Sequence, residues 1–224
     1  MAAQGVLEPS YRKRTAYQAM LLGGMATLAS TVLVIGDLET RDTIALRQAE
    51  DLKASLSQVL PEAIHDNDLL SDVITLPPER SGTKTLKVYR AHLDNQISAV
   101  AYEVSSNGYA GPINCIMGVA ASGEILGVRV LAHAETPGLG DKIEIARDDW
   151  VTSFNGRSLA NTSSQQWHVK KDGGDFDQFT GATITPRAVV KAVHEGLALF
   201  DANRATLLKA TITEAESVGD QSDE

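Results

Sequence analysis

Asp177-Gln178-Phe179-Thr180-Gly181-Ala182-Thr183-Ile184-Thr185-Pro186 is the stretch on which the reading of this chain turns. It sets several small hydroxyl side chains on a glycine turn, directly before a helix start. Thr185 is a favourable N-cap residue, and Pro186 then stands at the first helical position, where proline is enriched. Beyond it Ala188, Val189, Ala192, Val193, Leu197 and Phe200 recur at helical spacing. The orphan N–H groups and the positive end of that helix point back toward Thr180–Thr185, which makes the segment a natural seat for a phosphate. It also offers a hydroxyl that the phosphate can esterify.

Upstream, Asp172 to Thr183 reads as a glycine-rich loop and Trp167 to Val169 as a short strand. Asp141 to Phe154 reads as a helix with Ile143, Ala146 and Trp150 inward. His133-Ala134-Glu135-Thr136-Pro137-Gly138-Leu139-Gly140-Asp141 leaves an expected strand and turns through two glycines, which let backbone approach a flat ligand closely. Taken alone it is also an ordinary strand-to-helix loop. Gly108-Tyr109-Ala110-Gly111-Pro112-Ile113 is, by itself, a turn before a strand.

Further out, strands are expected at Thr85 to Arg90 and Ile97 to Val104, with a loop at Ser105 to Pro112. The β-rich runs Ile113 to Ala120 and Ile125 to Ala132, joined through Ser122-Gly123, read as a hairpin. Asp66 to Gly82 is a polar connector with a short strand at Val73 to Leu76. Strands with helices set between and after them predict an α+β domain with a mostly antiparallel sheet flanked by helices. The tail is polar and acidic, and reads as disordered from Ala215 onward.

Before all this, Tyr11-Arg12-Lys13-Arg14 precedes an uncharged run from Thr15 to Gly36, about 22 residues and enough to cross a bilayer as a helix. The run continues through Val32-Leu33-Val34-Ile35 with no small-x-small site after it, so it fits an uncleaved anchor better than a signal peptide. The basic cluster predicts a cytoplasmic N-terminus and a body on the periplasmic side. Ala19, Gly23, Thr27 and Thr31 fall four apart, a spacing compatible with a packing seam against another membrane helix. An amphipathic helix, Asp42 to Leu60, carries Ile44, Leu52, Leu56 and Val59 and is ended by Pro61. The expected divisions are 1–14 cytoplasmic, 15–36 anchor, 37–82 connector, 83–204 globular domain and 205–224 tail.

Composition narrows the chemistry. Three of the 20 basic residues and one of the 29 acidic residues precede residue 37, leaving a balance of −11 beyond the anchor. That balance is consistent with a soluble outer domain, and the net charge of −9 over the whole chain argues against nucleic acid as a partner. One cysteine, Cys115 in an apolar run, excludes an internal disulfide and reads as a buried thiol. The five histidines are scattered without metal-ligand spacing, so no metal site is expected. Neither a P-loop nor a Gly-x-Gly-x-x-Gly fingerprint is present.

The three unusual segments together resemble the FMN-binding domain of the RnfG and NqrC subunits, membrane-anchored parts of ion-translocating redox complexes. The resemblance rests on Asp-x-x-Thr-Gly-Ala-Thr, His-x-Glu-Thr-Pro-Gly-Leu-Gly and Gly-Tyr-x-Gly-Pro-Ile, covers Leu86 to Phe200 and matches the single anchor. It implies FMN joined by a phosphoester to Thr183 by a separate flavin transferase, which splits FAD, and it implies other complex subunits as partners. Asp177 would then assist recognition, Gly181 and Ala182 would keep the loop open, and Thr180 and Thr185 would donate to the phosphate. Glu135, Thr136 and Leu139 would form one wall for the ring, and Tyr109 and Pro112 another. An acidic Glu135 near the ring would disfavour an anionic reduced flavin. Length favours the RnfG-like branch over the NqrC-like one, and the related Rsx complexes are not separable from Rnf. A membrane-anchored protein that binds an anion without redox chemistry is the reading of a different class. No catalytic residue is expected in the chain itself.

Overall fold

Helix α1 runs without interruption from Thr15 to Val59 in the computed structural model of the chain, which describes residues 15–81 and 85–209. The expected cytoplasmic segment 1–14 and most of the polar tail lie outside the described residues. The apolar part, Thr15–Arg41, is 27 residues long, contains an 18-residue stretch of mean hydropathy 1.9, and is long enough to cross a membrane. The anchor and the amphipathic helix, expected as two elements, are therefore one. No proline separates them, and the polar groups at the junction are satisfied within the helix. Thr40 Oγ1 donates to the Gly36 carbonyl at 2.7 Å, and Arg41 Nε donates to Asp37 Oδ2 at 2.7 Å. The chain divides into two compact units, one up to Asp51 and one from Leu52 onward.

In the second unit five strands form one antiparallel sheet in chain order: β1 (Val73–Leu76), β2 (Leu86–Leu93), β3 (Gln96–Asn107), β4 (Pro112–Ala120) and β5 (Ile125–Ala132). β1 falls on the residues expected, while β2 and β3 are longer than expected. Their hairpin closes through Asp94 and Asn95, both at positive φ (52° and 61°), the backbone of a tight primed turn that Asp and Asn tolerate. A one-turn helix α2 (Pro78–Ser81) follows β1 where a loop was expected. Both faces of the sheet are covered, so β3 is buried almost continuously from Ile97 to Tyr102 instead of alternating.

One face carries helix α3 (Ile184–Leu207), whose Ala188, Val189, Ala192, Val193, Leu197 and Phe200 are all buried, as the spacing predicts. Close approach is possible because position 196 has no side chain. A Cβ on Gly196 would sit 2.6 Å from Met117 Sδ and 2.7 Å from Val104 Cγ1. Tyr102 takes advantage of that approach, donating its hydroxyl to the Gly196 carbonyl at 2.8 Å. The other face packs Tyr89, Ala99, Ala101 and Ile116 against Leu56, Val59, Leu60 and Leu69. Here Gly118 and Gly127, cross-strand partners, leave a flat spot that the last turn of α1 fills: a Cβ on Gly118 would collide with the Val59 carbonyl oxygen. The helix stops at Val59, one residue short of the expected end at Leu60 and two before Pro61.

Between β5 and α3, residues 133–183 contain neither strand nor α-helix. Asp141 to Phe154 forms two 3-10 turns, Asp141–Ile143 and Trp150–Phe154, and not the single helix expected. Ile143 and Trp150 are buried as predicted, but Ala146 is exposed. Asp148 breaks the run, since its Oδ1 accepts the Trp150 N–H at 2.9 Å and offers the backbone an alternative to helical bonding. The strand expected at Trp167 to Val169 is reduced to one parallel bridge, Val169 with Phe176. Aromatic contacts hold the segment instead: Trp150 meets Phe179 at 5.1 Å, and Phe154 meets Phe176 at 4.6 Å between ring centroids. The Trp150 indole N–H donates to the Asp177 carbonyl at 2.8 Å, tying this cluster to the loop before α3.

Candidate functional site

Phe179-Thr180-Gly181-Ala182 folds as a tight turn in which the Ala182 N–H meets the Phe179 carbonyl at 3.3 Å. Gly181 occupies the third turn position at φ +86°, which only glycine adopts without cost. A Cβ there would also come within 3.1 Å of Leu139 Cδ2. The glycine in this segment therefore answers two constraints, one conformational and one of space. The turn delivers the chain into α3 two residues earlier than expected: Thr183 is the N-cap, and Pro186 sits third in the first turn, where its missing N–H still costs nothing. Thr183 makes no side-chain cap bond, and its residue is only half-buried. Its hydroxyl is thus not consumed by the helix.

Thr185, expected to cap the helix and donate to a phosphate, does neither in this arrangement. It is fully buried, and its hydroxyl donates a short hydrogen bond to Glu135 Oε2. The other oxygen, Oε1, accepts the Ala110 N–H at 3.0 Å. Glu135 is 5% exposed, and no basic side chain among the described residues pairs with it. Room for its carboxylate comes from two glycines. A Cβ on Gly108 would collide with Oε1, and one on Gly140 would lie 2.8 Å from Glu135 Cβ and 3.0 Å from Oε2. Behind it, the Glu135 N–H donates to His133 Nδ1 at 3.0 Å, while His133 Nε2 faces Glu144 Oε1 at 2.7 Å. Both contacts are satisfied together by the neutral imidazole carrying its proton on Nε2.

These bonds bring the three segments to one cleft of about 380 Å³, lined by Tyr109, Glu135, Thr136, Leu139, Gly140, Gly181, Ala182, Thr183, Ile184 and Thr185. That volume lies within the range of small-molecule sites, and the mixture of apolar walls with few polar groups is what such sites use. Tyr109, Leu139 and Ile184 are 73%, 42% and 46% exposed, so the rim is apolar as well as open. The first-turn N–H groups of α3 have no carbonyl one turn earlier to bond, and they open at the Thr183 end.

Not every residue picked out in the sequence reaches this cleft. Thr180 is exposed at the tip of its turn, and Asp177 is exposed and paired with Lys170 Nζ at 2.6 Å; neither lines the cavity. Pro112 does not line it either, whereas Tyr109 does. Gly140 and Ile184 line it and were not singled out as site residues; Gly140 lay in the quoted motif but carries no chemistry of its own. The neighbouring basic residue of α3, Arg187, is committed to Asp172 through two contacts, Nε–Oδ2 at 2.6 Å and Nη2–Oδ1 at 2.9 Å. This hydrogen-bonded pair holds the Asp172 carboxyl below its ordinary pKa.

Comparison with known proteins converges on the same segments. Residues 108–198 match the family model of the FMN-binding domain. The G subunit of the ion-translocating oxidoreductase complex from Cereibacter sphaeroides is 52% identical over 189 residues, covering 84% of this chain and 85% of its own. Its counterpart from Stutzerimonas stutzeri is 46% identical over 202 residues, covering 90% and 87%. Among solved structures, Shewanella oneidensis NqrC aligns with 65% of this chain and 72% of its own at 24% identity, with a TM-score of 0.43. With identity of about half along more than four-fifths of its length, the chain belongs to the family of RnfG, the G subunit of the ion-translocating oxidoreductase complex.

Proposed function

We propose that this protein is the electron-carrying RnfG component of an Rnf-type ion-translocating oxidoreductase complex, and that it holds FMN as a phosphoester on Thr183. The observation that carries the reading is the convergence of the Thr183 turn, the Glu135–Gly140 loop and Tyr109 on one open, largely apolar cleft at the start of a long helix. The residues present fit the group. The free N–H groups and positive dipole end of α3 suit a phosphate dianion next to Thr183. Leu139, Ile184, Ala182 and Tyr109 suit a flat aromatic ring, with Thr136 and backbone groups available for polar contacts.

FMN, when bound, supplies the redox chemistry, accepting and returning electrons. The chain contributes attachment, orientation and an open edge. A threonine hydroxyl is a weak nucleophile without a base beside it. The carboxylate in the cleft, Glu135, has both oxygens engaged by Ala110 and Thr185, which supports attachment by a separate flavin transferase acting on FAD. In that exchange the Thr183 oxygen would form the bond to the FMN phosphorus as the pyrophosphate P–O bond of FAD breaks, AMP would leave, and the hydroxyl proton would pass through a base of the transferase to AMP or solvent. Exposed Asp177 and Thr180 are then recognition features for the transferase, outside the cleft but on the same loop.

The anchor supports a place in the membrane, and the Arg12-Lys13-Arg14 cluster before it supports a body on the periplasmic side. One flavin needs a donor and an acceptor, so the other subunits of the complex are the partners. Denaturing electrophoresis tests the reading. The full-length protein made with its flavin transferase gives a band fluorescent under ultraviolet light, and Thr183→Ala abolishes it. Persistence of the fluorescent band in Thr183→Ala would overturn the assignment.

A further inference from the structure

The carboxylate of Glu135 bridges two segments that are distant in sequence and adjacent in the cleft: Ala110 in the β3–β4 turn and Thr185 in the first turn of α3. We infer that Glu135 is a positioning residue, a neutral-tolerant clasp that sets the width of the cleft, and that it acts on the bound ring through Ala110 and Thr185 instead of through its charge. This rests on the reading of the cleft as the flavin site.

Four observations carry it. Both carboxylate oxygens are used, one by each segment. The side chain is buried, and among the described residues no cation accompanies it, so it is held by geometry and not by an ion pair. Gly108 and Gly140 flank it on either side with no room for a methyl group. Its own backbone is fixed in turn, since its N–H donates to His133 Nδ1 and His133 is held by Glu144. A side chain whose task is to present charge to a ligand would leave an oxygen facing the cavity. This one spends both on the walls.

The distinction has chemical content, because glutamine can replace glutamate in such a clasp. Its carbonyl oxygen accepts the Ala110 N–H, and its amide N–H₂ donates to the Thr185 oxygen, a hydroxyl being both donor and acceptor. Methionine has similar length and neither function. Two readouts on the full chain in detergent micelles decide the matter. One is amide hydrogen exchange of the Gly108–Gly111 segment, which needs no flavin. The other is fluorescence of the attached flavin under native conditions.

Glu135→Gln is expected to keep exchange at Ala110 within about twofold of wild type. Glu135→Met and Thr185→Val are each expected to speed it at least tenfold and to raise flavin fluorescence as the ring loses its fixed surroundings. The double variant is expected to go no further than either single one, because one clasp is broken twice. Thr185→Ser, which keeps the oxygen, is expected to restore slow exchange. Unchanged exchange in Thr185→Val, fully additive effects in the double variant, or a Gln variant as loose as the Met variant would each overturn the clasp. Should Glu135→Met fail to fold, the Thr185 pair decides alone. Absence of covalent flavin in the wild type would sink the functional reading and leave the exchange arm to judge the clasp.

Discussion

Adding one methyl group at Gly140 puts the packing around the cleft to a quantitative test. The backbone there has φ −91° and ψ −15°, open to any L-residue, so chain entropy alone favours alanine by about 0.4–1 kcal/mol. Space opposes it. The new Cβ would stand 2.8 Å from Glu135 Cβ, against a comfortable carbon separation of about 3.5–4.0 Å, and 3.0 Å from both Glu135 Oε2 and Thr185 Oγ1. The nearest atom is the root of the Glu135 side chain, so no swing of a flexible end relieves the overlap. Relief requires moving a carboxylate held at both oxygens. Overpacking of this kind costs about 1–3 kcal/mol, and a loosened hydrogen bond to a charged group adds to it. The steric term wins, leaving a net loss of about 1–2.5 kcal/mol. For a domain of this size that lowers the melting temperature by about 2–10 °C. Thermal unfolding of the full chain in micelles, followed by the fluorescence of Trp150 and Trp167, measures it. Gly24→Ala, whose methyl would meet nothing within 4 Å, serves as the control. A Gly140→Ala protein as stable as the wild type would refute the argument.

Three further outcomes follow from other parts of the molecule. Gly118→Ala should destabilise more than Gly127→Ala in urea titration, because the first methyl collides with the Val59 backbone while the second lies 3.2 Å from Val59 Cα and needs only a small shift; equal losses would contradict the flat spot under α1. Burial by itself would raise the Asp72 pKa, but hydrogen bonds and charge from Arg90 and His92 outweigh it and hold the carboxyl below its ordinary value. A depressed folded-state pKa adds stability above the unfolded value, near 4, and that stability is lost as pH falls through the folded pKa. The difference in urea midpoint between wild type and Asp72→Asn should therefore shrink below about pH 4, and a difference independent of pH would count against the pairing. Burial pushes the Cys115 thiol up to about 12, so a disulfide thiol reagent at pH 8 should label it only as fast as the protein unfolds.

Periodic parts of this chain were legible from residues alone, and the reason is local. The apolar faces of α3, the uncharged run of α1 and the β-rich runs of β3 to β5 each state their structure within a dozen residues. The failures share a different cause. Residues 133–183 carry no period because they are organised by contacts far apart in sequence: Trp150 on Phe179 and the indole of Trp150 on the Asp177 carbonyl. A helix over Asp141 to Phe154 satisfies the spacing of Ile143 and Trp150, yet Asp148 captures the Trp150 N–H and ends it. Gly118 and Gly127 carry no signal of their own in the sequence, because the flat spot exists only once β4 and β5 pair them under Val59.

The site shows the same division at finer scale. Propensity correctly marks a helix start near Thr183–Pro186, but propensity does not distinguish Thr183 from Thr185 as the cap, since both are threonines next to the same turn. What separates them is Glu135, fifty residues upstream, which draws the Thr185 hydroxyl into the interior. Thr183, left with no cap bond and half exposed, is then the threonine of the two whose oxygen remains open to chemistry. The residue proposed to bear the cofactor is thus set apart by the burial of its neighbour. That inference is available only after folding has brought Glu135 to the helix, and it is why exchanging the roles by Thr183→Ala with Thr185 intact should leave no residual attachment at position 185.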